Sequence, residues 1–348
     1  MRNRAEIRHS EELLTSPQEI FTTIIKELQR AKESIDMEFY IFLGDRIGNT
    51  IASLLGRKAR QGVRVRLVVD GYGSRKMPRE LRKRLLSQGI QLRIVHSLSH
   101  CRNHRKMVIV DRRIALVGGI NIADRYIVGN ELGTWYDAVL RIVGGSVAEL
   151  CRLFEYDFTP HTKHTVLAPE STAHSPMLYW SESGGGGAML RLLYDIIDGA
   201  EQEIILTTPY FMPPRGVLDH LARATQRGVR ISIIIPRRCD IWLIDDVMRH
   251  SIREAREIGI EVFILDNAFI HAKLALVDSR RVVVGSANLD AHSLSVNREL
   301  MLSSCNRTVC SSARQFLQQL QRMTTPARAN EIKCHLPRFI TKAIKPLM

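Results

Sequence analysis

The sequence predicts an α/β protein made of two similar α/β/α sandwich halves, related by pseudo-two-fold symmetry, with one active site at their interface. Three observations predict it. Five chemically loaded residues, His104, Lys106, Asp111, Gly118 and Asn121, return as His271, Lys273, Asp278, Gly285 and Asn288, and 271−104, 273−106, 278−111, 285−118 and 288−121 all equal 167. Strand-like runs and helical segments alternate in the same order around both sets. Between the sets lies a Pro/Gly-rich stretch suited to a connection. A lone H-x-K carries no information, whereas two H-x-K-x4-D units with matching Gly and Asn mark a duplication.

The elements follow in order. Residues 30–42, R-A-K-E-S-I-D-M-E-F-Y-I-F, share their pattern with 199–211, G-A-E-Q-E-I-I-L-T-T-P-Y-F: a helix end running into an apolar strand with a terminal aromatic. A helix then leads to Gly62 and the run Val63–Asp70 in the first half, and to Gly228 and Val229–Pro236 in the second. Gly at a helix end followed by a β-branched run reads as a buried strand. A third helix and strand come next, 79–88 with Ile90–Val95 and 244–258 with Ile260–Leu265. The H-x-K strand is fourth, and a short Val/Ile strand leads to the Gly. The expected division is a half over 1–160, a connection over 161–187, a half over 188–325 and a basic amphipathic tail over 326–348. The Gly184–Gly187 run lacks the spacing and preceding strand of a dinucleotide fingerprint, and reads as a loop near the site.

The chain has 348 residues, room for two domains, and a net charge of +14. Such a basic balance calls for an anionic partner: nucleic acid, an anionic membrane surface or a phosphorylated substrate. No apolar run reaches the ~18 residues of a membrane span, and the start M-R-N-R-A-E carries no signal-peptide core, so neither is expected. Six scattered cysteines lack metal or disulfide spacing, so no metal, cofactor or disulfide framework is expected. In the tail, Leu336, Phe339, Ile340, Ile344 and Leu347 stand at near-helical spacing among five Lys and Arg, a pattern fit either for a membrane interface or for packing on the domain.

On a strand, residues i and i+2 share a face, so His104 with Lys106, and His271 with Lys273, are expected to point together. Lysine supplies positive charge for phosphate oxygens, and histidine attacks or shuttles a proton. Asn121 and Asn288 follow the Gly-Gly and Gly-Ser turns and, with Ser286, are candidate phosphate donors. Facing across an interface, the two sets make one pocket for a phosphodiester. Asp111 and Asp278 belong to the same motif, but their place at a strand end favours a structural role.

The two H-x-K-x4-D units resemble the phospholipase D superfamily over about residues 10 to 325. N-H-R-K-M-V-I-V-D-x6-G-G-I-N-I-A-D and H-A-K-L-A-L-V-D-x6-G-S-A-N-L-D-A-H-S-L-S-V-N-R-E resemble the paired motifs of bacterial cardiolipin synthases, as do M-E-F-Y-I-F, V-D-G-Y-G-S and T-T-P-Y-F-M-P. The likeness is to the short form lacking N-terminal membrane helices. It implies a phospholipase D fold and a metal-independent ping-pong transfer through a phosphohistidine, with His104 as nucleophile and His271 as acid/base. It also implies an orienting carboxylate for each ring: Glu299 of N-x-E for His271, and Asp137 for His104. The implied substrates are phosphatidylglycerol and a second phospholipid, and the implied product cardiolipin. The implied place is a peripheral one on the cytoplasmic face of the cell membrane, with no oligomer required to complete the site. A phosphodiesterase hydrolysing phospholipid or nucleic acid is the alternative. Nucleic acid is the less expected partner, because an aromatic content of 6% offers no stacking stripe. The chain departs from the family pattern at His292, where Arg is common, and at Glu182-Ser183-Gly184-Gly185, where relatives carry Ser-Gly-Pro.

Overall fold

The computed structural model describes residues 9–96, 100–159, 176–182, 187–240 and 242–328. The expected tail helix and the Gly184–Gly186 loop lie outside these residues, as does most of the 161–187 connection.

The first half runs β1 (Ser10–Leu14), α1 (Pro17–Arg30), β2 (Ser34–Phe39), α2 (Arg46–Arg60), β3 (Arg64–Asp70), α3 (Arg79–Ser87), β4 (Gln91–Val95), β5 (Met107–Val110), β6 (Ile114–Gly118), α4 (Arg125–Val128), β7 (Thr134–Tyr136), β8 (Val139–Val143) and α5 (Val147–Phe158). The second runs β9 (Met177–Trp180), α6 (Ala188–Asp198), β10 (Glu203–Thr207), β11 (Phe211–Met212), α7 (Arg215–Gln226), β12 (Arg230–Pro236), α8 (Trp242–Glu257), β13 (Glu261–Leu265), β14 (Ala268–Ile270), β15 (Lys273–Val277), β16 (Arg281–Gly285), β17 (Leu289–Asp290), α9 (Ala291–Ser295), β18 (Leu300–Ser304), α10 (Arg307–Arg322) and β19 (Thr324–Pro326).

One sheet has the order β1-β8-β6-β5-β2-β3-β4 and the other β19-β13-β12-β10-β15-β16-β18-β9. The strands β4, β3, β2, β5, β6, β8 and β1 correspond to β13, β12, β10, β15, β16, β18 and β9. In each sheet the parallel βαβαβ run abuts the antiparallel hairpin that starts the H-x-K strand. Met177–Trp180, inside the stretch read as a connection, is thus the edge strand of the second sheet, paired with β18.

The helices form as the sequence dictates. Ser16 caps α1 by accepting from Glu19 N–H with Pro17 in the first turn, Asp45 caps α2 at Gly48, and Asn306 caps α10 at Thr308 and Val309. Gly62 and Gly228 end α2 and α7 at φ 86° and 88°, where a side chain would be strained.

Strand alternation divides the interior. Met107 and Ile109 of β5, and Leu274 and Leu276 of β15, enter a shared central core. Val108 and Val110 face the first half's outer helices, and Ala275 and Val277 the second's. Helices α5 and α10 fill the central core between the sheets through Leu150, Phe154, Phe316 and Leu317. Each such buried side chain contributes roughly 1.5–3 kcal/mol, so the halves are welded together through a core belonging to both. Each half is an α/β/α sandwich, as expected. No described helix is long and apolar enough to cross a membrane.

Candidate active site

The first H-x-K segment lies just ahead of β5, and the second reaches β15 only at its lysine, Lys273. Their backbone is paired across the interface. His104 N–H donates to the carbonyl of Arg298 (2.9 Å), and Arg298 N–H to that of Arg102 (2.9 Å). In the other direction, β14 pairs in parallel with β7, and His271 N–H donates to the carbonyl of Tyr136 (2.8 Å). Each reactive segment is therefore clamped by a strand of the opposite half, and the segments join the intrahalf ladder only at Met107 and Lys273.

This crossing decides which carboxylate holds which ring. The residue after Arg298 is Glu299, and its carboxylate meets Nδ1 of His104 at 2.9 Å. The residue after Tyr136 is Asp137, which meets Nδ1 of His271 at 2.7 Å. The sequence expectation paired Glu299 with His271 and Asp137 with His104. The structure exchanges the partners, because each carboxylate rides on the strand that pairs with the other half's histidine. Both acids are buried, Asp137 2% and Glu299 0% exposed.

Small residues make room for these acids rather than for an oxyanion. A Cβ on Gly119 would stand 2.4 Å from Asp137 Oδ1. At the equivalent place, Ser286 donates its hydroxyl to Glu299 Oε2 at 2.5 Å. Ser286 therefore serves the orienting acid, and the expectation of a phosphate donor there is corrected. Asn121 lines the cavity, its Oδ1 accepting from Ile41 N–H (3.0 Å) and its Nδ2 donating to the Tyr126 hydroxyl (2.7 Å). Asn288 also lines the cavity, with its Oδ1 lacking a hydrogen-bond partner among the described residues.

Asp111 and Asp278 stand at the far end of the hairpin strands, away from the histidines. Each occupies a left-handed turn position (φ 51° and 48°), followed by a second one at Arg112 and Ser279 (φ 55° and 54°). Aspartate tolerates that region better than most residues. The Asp111 carboxylate accepts from the backbone N–H groups of Lys32, Glu33 and Ser34, and that of Asp278 from Glu201, Gln202 and Glu203. Both aspartates tie the hairpin to the start of the neighbouring strand.

The lysines lie beneath the rings, 1% and 2% exposed. Lys106 donates to the carbonyl of His104 and sits 5.4 Å from the Tyr40 ring centroid. Lys273 donates to the carbonyl of His271 (2.6 Å) and also meets His271 Nε2 at 3.0 Å. No described protein group hydrogen-bonds Nε2 of His104. The halves are thus asymmetric at Nε2.

Burial, then the neighbouring lysines, holds the His271 pKa well below that of a free imidazole. For His104 burial also lowers it, opposed by the Glu299 charge and assisted by Lys106. Burial lifts Asp137 to about 6 against the pull of Lys273, and lowers Lys273 to about 8 against that of Asp137. Glu299 behaves oppositely: burial acts to raise it, but His104, Lys106 and Ser286 outweigh that and hold it below the usual range. Burial thus favours the neutral form of both imidazoles, the form that attacks or accepts a proton. Both line one cavity of about 440 Å³, with Tyr40, Tyr72, Arg102, Arg125, Tyr126 and Tyr210.

The family description "Cardiolipin synthase, PLD-like domain" matches residues 24–155 and 193–323, once on each half. The chain belongs to this phospholipase D-like family. It is 31% identical over 309 residues to a cardiolipin synthase of Geobacillus kaustophilus, covering 83% of this chain and 61% of that one. It is 29% identical over 317 residues to the major cardiolipin synthase ClsA of Bacillus subtilis, covering 84% of this chain and 64% of that one. The chain thus spans about three fifths of the length of the curated relatives it matches. Among solved structures, a phosphatidylserine synthase of Haemophilus influenzae superimposes with TM-score 0.74 at 16% identity, covering 96% of this chain and 92% of the other. A polyphosphate kinase of Porphyromonas gingivalis does so with TM-score 0.68 at 19% identity, covering 92% and 49%. At these identities the likeness speaks of the fold.

Within this family fold, some site residues gave no signal in the repeat. Arg105, the middle residue of the first H-x-K, is fully buried and pairs with Asp157 and Glu182, and its guanidinium also donates to the backbone carbonyls of Ser181 and Glu299. The second motif has Ala272 at that place, so comparing the copies finds Arg105 only as a difference. Tyr126 and Trp135 pack against His271 at ring separations of 5.1 and 5.5 Å, and Tyr40 against His104 at 4.9 Å. These aromatics restrict both rings to orientations that face the cavity.

Proposed function

We propose that the chain is a phosphatidyltransferase of the cardiolipin synthase type, acting at an anionic membrane surface. The observation that carries this reading is the pair of imidazoles lining one cavity, each gripped at Nδ1 by a buried carboxylate of the opposite half and underlain by a lysine. A carboxylate on Nδ1 fixes the ring and leaves Nε2 for chemistry.

In the proposed reaction, Nε2 of His104 attacks the phosphorus of phosphatidylglycerol. The bond from phosphorus to the glycerol oxygen breaks, and His271 gives that oxygen its proton. His271 then takes the proton from a hydroxyl of a second phospholipid. That oxygen attacks phosphorus, the phosphorus–nitrogen bond breaks, and cardiolipin leaves with His104 restored. The asymmetry at Nε2 supports this direction: His104 has an unencumbered nitrogen, whereas His271 has a lysine beside its own with which to exchange a proton. Lys106 and Lys273 supply the charge that offsets the phosphoryl oxygens. An anionic substrate between the rings in turn offsets the lysines and lets His271 hold a proton.

Incubation of pure protein with phosphatidylglycerol vesicles, read by mass spectrometry, tests this. Cardiolipin and free glycerol in equal amounts are expected, at a rate unchanged by chelator. Phosphatidic acid as the product would make the protein a hydrolase instead. The net charge and the anionic substrate support a peripheral position on the cytoplasmic face of the cell membrane.

A further inference from the structure

Resting on this transfer reading, we infer that Arg125 receives the phosphate of the acceptor, so that the site selects an acceptor alcohol that is itself a phosphate ester. The four-residue helix α4 carries Arg125, and the strand β7 that follows it pairs with the segment leading to His271. Its guanidinium lies 5.3 Å from the Tyr126 ring centroid and 5.1 Å from that of Trp135. Those two rings are the ones that pack on His271. Arg125 lines the same cavity, is half-buried, and has its Nε buried without a hydrogen-bond partner among the described residues.

No carboxylate forms an ion pair with Arg125 among the described residues. The nearest acid influence is Asp240, whose carboxylate accepts the Tyr210 hydroxyl at 2.5 Å. A cation held on two aromatic faces inside a cavity, with its Nε–H unpartnered and no paired acid among the described residues, is arranged for an anion that arrives with the substrate.

Geometry identifies which anion. The reacting phosphoryl group sits between His104 and His271, where the lysines serve its oxygens. In an in-line displacement the acceptor oxygen approaches from the side opposite His104, beside His271. In phosphatidylglycerol the attacking hydroxyl and the phosphate are separated by the three carbons of glycerol. The acceptor phosphate therefore falls beyond His271, on the side where Arg125 stands. Water or a simple alcohol has nothing to offer there.

Competition at the shared covalent intermediate tests this. Phosphatidylglycerol vesicles are incubated with a fixed concentration of ethanol, and cardiolipin and phosphatidylethanol are measured in the same reaction. Their ratio reports acceptor choice alone, since both arise after donor cleavage. Arg125→Gln is expected to lower the cardiolipin to phosphatidylethanol ratio about tenfold to a hundredfold, the range for losing a charge-assisted hydrogen bond. Arg125→Lys, which keeps the charge but not the fork, is expected to recover part of it. An unchanged ratio in Arg125→Gln, including one where both products fall together, would overturn the assignment and leave Arg125 a packing residue. A wild-type protein that yields neither product would instead overturn the transfer reading, and this inference with it.

Discussion

At His271 the ring is flanked by Asp137 at Nδ1 and Lys273 at Nε2, 2.7 and 3.0 Å away, and the titration of those two neighbours sets the working range. Burial raises Asp137 to about 6, so below that pH it is protonated and no longer steadies a charged ring. Burial lowers Lys273 to about 8, so above that pH the site loses a cation needed by the phosphoryl group. The kcat/KM profile is expected to be bell-shaped, rising through pH 6 and falling through pH 8. Asp137→Asn is expected to remove the acid limb and lower the rate about a hundredfold or more. His104→Asn and His271→Asn are each expected to cost about a thousandfold or more with the fold intact, as seen by circular dichroism. Near-normal turnover in either would sink the single shared site. The exchanged carboxylates have their own test. Glu299 acts to raise the His104 pKa against burial, so Glu299→Gln is expected to lower it further while leaving that of His271 nearly unmoved. Nitrogen NMR titration of the two rings reads this, and a response at His271 instead would restore the within-half pairing.

At the scale of elements, the hairpins β5–β6 and β15–β16 are tied to the starts of β2 and β10 by Asp111 and Asp278. Each carboxylate satisfies three backbone donors from a left-handed turn. Asp111→Ala and Asp278→Ala are each expected to cost about 1–3 kcal/mol of stability in urea unfolding, and to leave turnover per folded molecule within a few-fold. A large loss of turnover without loss of stability would return these residues to the chemistry. In helix α10, Val309, Cys310, Ala313, Phe316, Leu317 and Leu320 follow helical spacing after the Asn306 cap and form its buried face. Edge strands β1 and β9 carried weaker signals, because short strands at a sheet margin lack a long β-branched run.

At the scale of the whole molecule, a net charge of +14 predicts salt-sensitive attraction to anionic bilayers. Sedimentation with phosphatidylglycerol vesicles is expected to weaken strongly between 0.1 M and 1 M NaCl, as the screening length falls from about 10 Å to about 3 Å. Binding that ignores salt would mean an apolar anchor dominates. The sequence by itself determined the duplication, the α/β order of each half, the two H-x-K pairs and the structural leaning of Asp111 and Asp278, because these follow from local spacing, strand periodicity and turn chemistry. Only the tertiary structure decided that Glu299 holds His104 and Asp137 holds His271, that Ser286 serves an acid, and that Arg125 joins the site. The exchanged carboxylates and the place of Arg125 depend on β-pairings that cross between halves, such as Asn103 with Arg298 and Phe269 with Trp135, and the Ser286 contact on the pairing of β16 with β18. Residues so far apart along the chain leave no periodic trace, and proximity in sequence favours the wrong partner.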